Sequence, residues 1–163
     1  MSRDPAQLRD LLERLVKANV RFVLVGGFAV NAWGYLRGTE DIDIVPDPDP
    51  ENLNLLAEVL EELGGKVEVR GRSLTSDAIR TFLRAGDKTL VRTDLGIVDV
   101  LQGLPQIPRF AELRERAQEA DYEGMPVLIC SLDDLLAMKR AADRPMDRMD
   151  IDALKAAHEI EDG

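Results

Sequence analysis

The segment Asp41-Ile42-Asp43-Ile44 places an acid at every second position. In a strand, that period points both carboxylates to one face and both isoleucines into a core on the other. Two like charges side by side raise each other's pKa, and a divalent cation between hard oxygen ligands relieves the repulsion, magnesium being the natural guest. An edge strand with a solvated acidic face gives the same D-x-D pattern, so the surrounding sequence has to separate the two. Thirteen residues, Phe28 to Glu40, separate this segment from Gly26-Gly27, which closes the apolar run Arg21 to Val25. Glycines there let backbone amides approach a phosphate, and a helix starting at that point adds a positive end, although a bare tight turn uses the same pair. The pair is neither a GxGxxG fingerprint nor a Walker loop, since no Lys-Ser or Lys-Thr follows at the required distance. A third acid, Asp99, interrupts the apolar run Ile97-Val98-Asp99-Val100-Leu101. A lone carboxylate buried there would cost several kcal/mol unless it were neutralised, hydrogen-bonded or metal-bound. If its strand lies beside that of Asp41, three carboxylates converge and can hold two magnesium ions roughly 3.5–4 Å apart.

Gly26-Gly27, Asp41-Ile42-Asp43 and Asp99 together resemble the nucleotidyltransferase superfamily, over residues 21–101. The stretch Ser131-Leu132-Asp133-Asp134-Leu135-Leu136-Ala137-Met138-Lys139, with Arg144-Pro145-Met146-Asp147 and Asp150-Ile151, is similar to the tail of abortive-infection type nucleotidyltransferase toxins and their stand-alone relatives. That tail extends the resemblance to nearly the whole chain. It implies an α/β (α+β) fold, with a short mixed sheet, packed helices and a helical C-terminal tail. It also implies metal-dependent transfer of a nucleoside monophosphate from an NTP to an acceptor hydroxyl, with release of pyrophosphate. One magnesium ion would be bridged by Asp41 and Asp43, and a second shared with Asp99, which would also be placed to take the acceptor's proton. The Gly26 and Gly27 amides would bind phosphate oxygens. Arg37-Gly38-Thr39-Glu40-Asp41 resembles the family's Arg-x-Thr-x-Asp lead-in, with Arg37 toward phosphate and Thr39 orienting the strand, and Lys139 would be the triphosphate cation. Asp147 and Asp150, three apart on a helix, are placed to orient Lys139 or contact the acceptor, although a solvated salt-bridged face is the favoured reading. Two features depart from the small antitoxin type: the thirteen-residue gap is long, and Gly-Gly stands where Gly-Ser is common.

The elements that must position these residues are legible in part. Leu8, Leu11, Leu12, Leu15 and Val16 sit at helical spacing behind Asp4 as cap and Pro5 as first helical residue. A helix is expected from Gly27 to about Tyr35, with Trp33 and Tyr35 packing or stacking on a base. A strand over Thr39 to Val45 is stopped by the PDPDP segment, whose prolines lack ladder donors. Leu53, Leu56, Val59, Leu60 and Leu63 define a helix from Asp49-Pro50 to Gly64-Gly65, followed by a strand over Lys66 to Arg70. Residues 73–104 read mostly as strands, with Ser76 to Arg84 equally compatible with a helix. Gly124 marks a hairpin into Val127 to Cys130, Ser131 caps a helix with Asp134 three residues on, and Pro145 starts the last helix. One domain over 1–163 is expected, with a core over 1–104 and a C-terminal hairpin and helices over 105–163.

Composition narrows the chemistry. The formal charge is −10 over 163 residues, and no apolar run approaches the roughly 20 residues that cross a bilayer, so a cytoplasmic location without membrane partners is expected. The lone Cys130, read as an inert core thiol, and the lone His158, read as a charge partner at a helix end, exclude thiolate clusters and multi-imidazole zinc sites. An acidic chain repels nucleic acid, but Arg70, Arg72, Arg80, Arg84, Lys88 and Arg92 outnumber Asp77 and Asp87 within residues 70–92. That segment could cradle an RNA end, which favours a toxin-antitoxin type enzyme acting on tRNA, with a cognate partner protein. The alternatives are an antibiotic nucleotidyltransferase of the aminoglycoside kind, an antitoxin-type transferase that modifies a protein, and a non-catalytic binding module on the same fold.

Overall fold

The computed structural model describes residues 5–74 and 76–160, so the capping position expected at Asp4 lies outside the described residues. The order of elements is α1 (Pro5–Lys17), β1 (Phe22–Val25), α2 (Gly26–Ala32), β2 (Asp41–Pro46), α3 (Pro50–Glu62), β3 (Lys66–Val69), β4 (Arg72–Leu74) and α4 (Ser76–Ala85). Then follow β5 (Thr89–Thr93), β6 (Gly96–Val100), α5 (Phe110–Arg116), β7 (Gln118–Tyr122), β8 (Met125–Ile129), α6 (Leu132–Ala142) and α7 (Pro145–Ala157). The strands form one mixed sheet in the order β4-β3-β5-β6-β2-β1-β8-β7.

The register decides what shares a face. β2 runs antiparallel to β1, with Val25 opposite Asp43 and Leu24 opposite Ile44, and parallel to β6, with Asp43 opposite Asp99 and Ile44 opposite Val100. Asp41, Asp43 and Asp99 therefore stand on one face, while Ile42, Ile44, Val98 and Val100 are fully buried on the other. The hairpin β7–β8 turns at Glu123-Gly124, both at positive φ, and β8 extends the sheet alongside β1.

Several ends are set by the expected chemistry. The Asp49 carboxylate accepts from Glu51 N at 2.9 Å at the start of α3, and Ser131 Oγ accepts from Asp134 N at 3.0 Å at the start of α6. The ambiguous segment after Ser73 is helical, because Ile79 and Leu83, four apart, are both fully buried. α2 is shorter than expected and begins at Gly26 itself. Beyond it Asn31 Oδ1 accepts from Arg37 N at 3.0 Å, turning the chain toward β2. α5, which the sequence pattern did not reveal, is two turns long and buries Phe110 and Leu113. Trp33 and Tyr35 pack against the core, with Trp33 Nε1 donating to the Cys130 carbonyl at 2.9 Å.

Asn52 joins these parts. It is fully buried; its Oδ1 accepts from Arg21 N at 2.7 Å and its Nδ2 donates to the carbonyls of Arg21 and Asp47, each at 2.9 Å. One side chain thus ties α3 to the approach to β1 and the exit from β2. Asn52→Leu removes all three partners while keeping volume, and unpaired buried backbone groups cost about 1–3 kcal/mol each when water cannot reach them. Urea denaturation should show a loss of about 2–4 kcal/mol; a loss under about 0.5 kcal/mol would contradict this role.

Candidate functional site

The β1–α2 junction and the β2 acids are built around each other. Gly26 has φ +64, and a Cβ there would collide with Asp43 Oδ2, so the carboxylate rests directly on the glycine backbone. A Cβ on Gly27 would lie 2.5 Å from Thr39 Oγ1, and Thr39 Oγ1 in turn donates to the Asp41 carbonyl at 3.1 Å. The glycine pair and the lead-in to β2 therefore interlock, with Thr39 bonded to the first residue of the strand.

Burial is the largest influence on Asp43, and the neighbouring Asp99 and Asp41 charges add to it, pushing its carboxyl up to about 7. Lys139 and Lys88 pull in the opposite direction without cancelling this. Asp99, across the register, is not a lone acid: Lys88 Nζ lies 3.0 Å from its Oδ1. That buried oxygen nonetheless makes no hydrogen bond of proper angular geometry. Among the described residues, no group of three or more His, Cys, Asp or Glu side chains is arranged to enclose a metal ion. The three acids share a face without closing a cage. Such a set fits magnesium, which takes one or two carboxylates plus waters and substrate phosphates rather than an all-protein cage.

Asp147 and Asp150 overturn the expectation of a solvated face and take the other reading of the pair, contact with Lys139. They are not a solvated face but are 0% exposed. Lys139, itself only 7% exposed, reaches Asp147 Oδ1 at 3.1 Å and Asp150 Oδ2 at 3.0 Å. Arg37 forks onto Asp150 with bonds of 2.8 and 3.0 Å, and Arg144 forks onto Asp147 with bonds of 2.7 and 3.2 Å. Burial alone would raise Asp147, but Arg144 and Lys139 hold its carboxyl down at about 2. Three cations surround two acids, so this network stays net positive. It faces a cleft of about 800 Å3 that Asp41, Asp43, Gly27, Arg37, Thr39 and Lys139 also line.

Sequence reasoning missed Lys88, Arg144, Phe28 and Tyr122 as parts of this region. The last two meet edge to face at 5.4 Å, from α2 and β7, and line the same cleft. The D-x-D spacing, the glycine pair and the resemblance that named Arg37, Thr39 and Lys139 flagged the cleft; a hairpin tyrosine more than 90 residues downstream of Phe28 carries no local signal. Cys130 and His158 stand apart. The thiol is fully buried and pushed up to about 12, first by burial and then by Asp134. His158 Nε2 is hydrogen-bonded to the Trp33 carbonyl at the end of α7.

The raised Asp43 carboxyl has a definite pH signature in the metal-free protein. Unfolded, it loses its proton near 3.8; folded, it keeps it until about 7, so the folded state binds more protons across that window and stability falls as pH rises. Thermal melts without divalent ions should show wild type losing stability from about pH 4 to about pH 7 relative to Asp43→Asn. Parallel curves for the two proteins would show that Asp43 titrates normally.

Comparison of folds gives three near neighbours. The lincosamide antibiotic adenylyltransferase LnuA, lincomycin-bound, has TM-score 0.68 at 20% identity over 96% of this chain and 99% of that one. ANT(2")-Ia in complex with adenylyl-2"-tobramycin has TM-score 0.60 at 18% identity over 94% and 88%. An antigenic nucleotidyltransferase-like protein from Paracoccidioides brasiliensis has TM-score 0.59 at 18% identity over 96% and 78%. At these identities the likeness is one of fold. No curated protein matches the chain in sequence. Residues 6–161 match the family described as "Nucleotidyltransferase of unknown function (DUF6036)", and with the paired acids of β2 resting on the glycine turn, the chain belongs to that family and is a nucleotidyltransferase.

Proposed function

We propose that the protein transfers a nucleoside monophosphate from an NTP to the hydroxyl of a small, largely apolar acceptor. The observation that carries this reading is the pair of clefts that meet the acidic face of the sheet. The polar one of about 800 Å3, with Lys139, Arg37 and Arg144 on one wall and Asp41 and Asp43 on the other, suits a triphosphate. A divalent ion, taken to be Mg2+, held by Asp41 and Asp43 would neutralise charge at the phosphates when bound. The Gly27 amide at the start of α2 and the Lys139 ammonium serve the same oxygens from the protein side, and Phe28 and Tyr122 offer an aromatic wall to the base. Arg37 acts in this reading through Asp150, which holds it in place.

The second cleft, about 1110 Å3, begins at Val45 and Leu101, each two residues beyond Asp43 and Asp99 on the same face, and continues past Leu104, Ile107 and Phe110. A hydroxyl presented from there meets Asp99 first. Its oxygen attacks the α-phosphorus, its proton passes to Asp99, and the bond from the α-phosphorus to the bridging oxygen breaks, so pyrophosphate leaves.

A tRNA acceptor rested on the positive balance of residues 70–92, and folding dissolves most of it. Arg80 pairs with Glu61 at 2.7 Å, Arg92 with Glu68 at 3.1 Å and Lys88 with Asp99 at 3.0 Å, while Arg84 donates to Asn54. The apolar lining supports a small-molecule acceptor over an RNA end or a partner protein, and two of the three fold neighbours described above are antibiotic nucleotidyltransferases.

Asp43→Asn should abolish label transfer from α-32P NTPs to a panel of hydroxylated apolar small molecules with Mg2+, while leaving the circular dichroism spectrum unchanged. Ile107→Asp should lower transfer at least tenfold without weakening NTP binding. Equal transfer by wild type and Asp43→Asn would refute the site. Labelling of total tRNA by wild type, with none of the small molecules, would reinstate the RNA acceptor.

A further inference from the structure

Lys88 sits where a second divalent ion would have to bind. It precedes β5, whose Leu90 pairs with Asp99, so Lys88, two residues before Leu90, shares the acidic face. Its ammonium is 3.0 Å from Asp99 Oδ1, an oxygen otherwise buried and without a hydrogen bond, and its charge also reaches Asp43. Any cation shared by Asp43 and Asp99 would occupy the same space and meet the same positive charge. At 42% exposure the Lys88 side chain is anchored at its tip by Asp99 rather than locked by packing.

We propose that Lys88 replaces the second divalent ion: the ammonium holds the Asp99 carboxylate in place as the proton acceptor, and the protein takes up one divalent ion, at Asp41 and Asp43, instead of two. This rests on the reading of those acids as the metal site. A fixed ammonium is suited to the part. It balances Asp99 with a single charge, and in the chain it lies two residues from Gly86, which lines the apolar cleft proposed for the acceptor. Lys88 is thus a positioning residue acting through Asp99, and the acceptor hydroxyl is activated by a carboxylate rather than by a metal-bound oxygen.

The test counts ions directly. Mn2+ bound per protein is measured by electron paramagnetic resonance in saturating α,β-methylene NTP, which binds but cannot transfer, using each of the four nucleotides. Wild type and Lys88→Arg should bind one ion. Lys88→Ala should bind two, and Lys88→Ala with Asp99→Asn should return to one. Two ions in wild type, or one in Lys88→Ala, would overturn the proposal while leaving the Asp41 and Asp43 site standing. No protein-bound Mn2+ in any of these proteins would remove the metal site itself and the proposal with it.

Discussion

Asp43 and Asp99 face each other across adjacent parallel strands, and neither can move away without breaking register. On one flank Gly26 offers no side chain, so the Asp43 carboxylate lies against its backbone; on the other, the fully buried isoleucines of β2 fix which face the acids occupy. A one-residue slip would trade Ile42 and Ile44 for the acids in the core, so burial of the apolar face enforces the repulsion on the polar one. The sheet thus stores an unfavourable pairing that, in the proposed mechanism, a cation would relieve, and burial with the neighbouring acids pushes the Asp43 carboxyl up to about 7. Ordering a charged site around its missing partner is a usual form of preorganisation: binding then regains free energy already spent in folding.

The C-terminal helices supply the complement. α6 brings Lys139 and α7 brings Asp147 and Asp150, and the two acids clamp the lysine from both sides. If Lys139 meets a phosphate as proposed, a lysine held in this way would lose little further rotamer freedom, whereas a free surface lysine would lose most of its own. Arg37, from the segment just before β2, closes the loop through Asp150. The tail is therefore coupled to the lead-in of the acidic strand by charge pairs as well as by the apolar packing of Leu135, Leu136, Ile151 and Leu154, and removing Asp150 takes away the carboxylate partner of Arg37 while Lys139 keeps Asp147.

The parts of this arrangement visible in the sequence were those with a short period. The alternation in Asp41 to Ile44, the glycine pair, the Ser131 cap and the Pro145 start are local patterns, and their elements appear, with the ends of α2 and β2 shifted. Ser76 to Ala85 stayed ambiguous because its few apolar residues fit either period, and α5, seven residues long, is too short to display one. The larger misses are long-range. Asp147 and Asp150 look solvated on a helical wheel, and only the docking of α7 on Lys139 and Arg37 buries them. In the same way the run of basic residues from Arg70 to Arg92 looks like a patch until Glu61, Glu68 and Asp99 are folded against it. Composition counts charges, whereas pairing in three dimensions decides which of them remain available.

The account depends most on the Asp43 carboxyl being held proton-bound by burial and by the neighbouring acids, and released by a cation. Carbon-13 NMR of the aspartate side chains, with Asp43 assigned through Asp43→Asn, measures this directly. In metal-free protein its titration should centre near 7, and with Mg2+ and a non-transferable NTP it should fall below about 4, into the ordinary carboxylate range. An Asp43 midpoint near 4 without metal, or one that does not move when Mg2+ and nucleotide are added, would contradict the account.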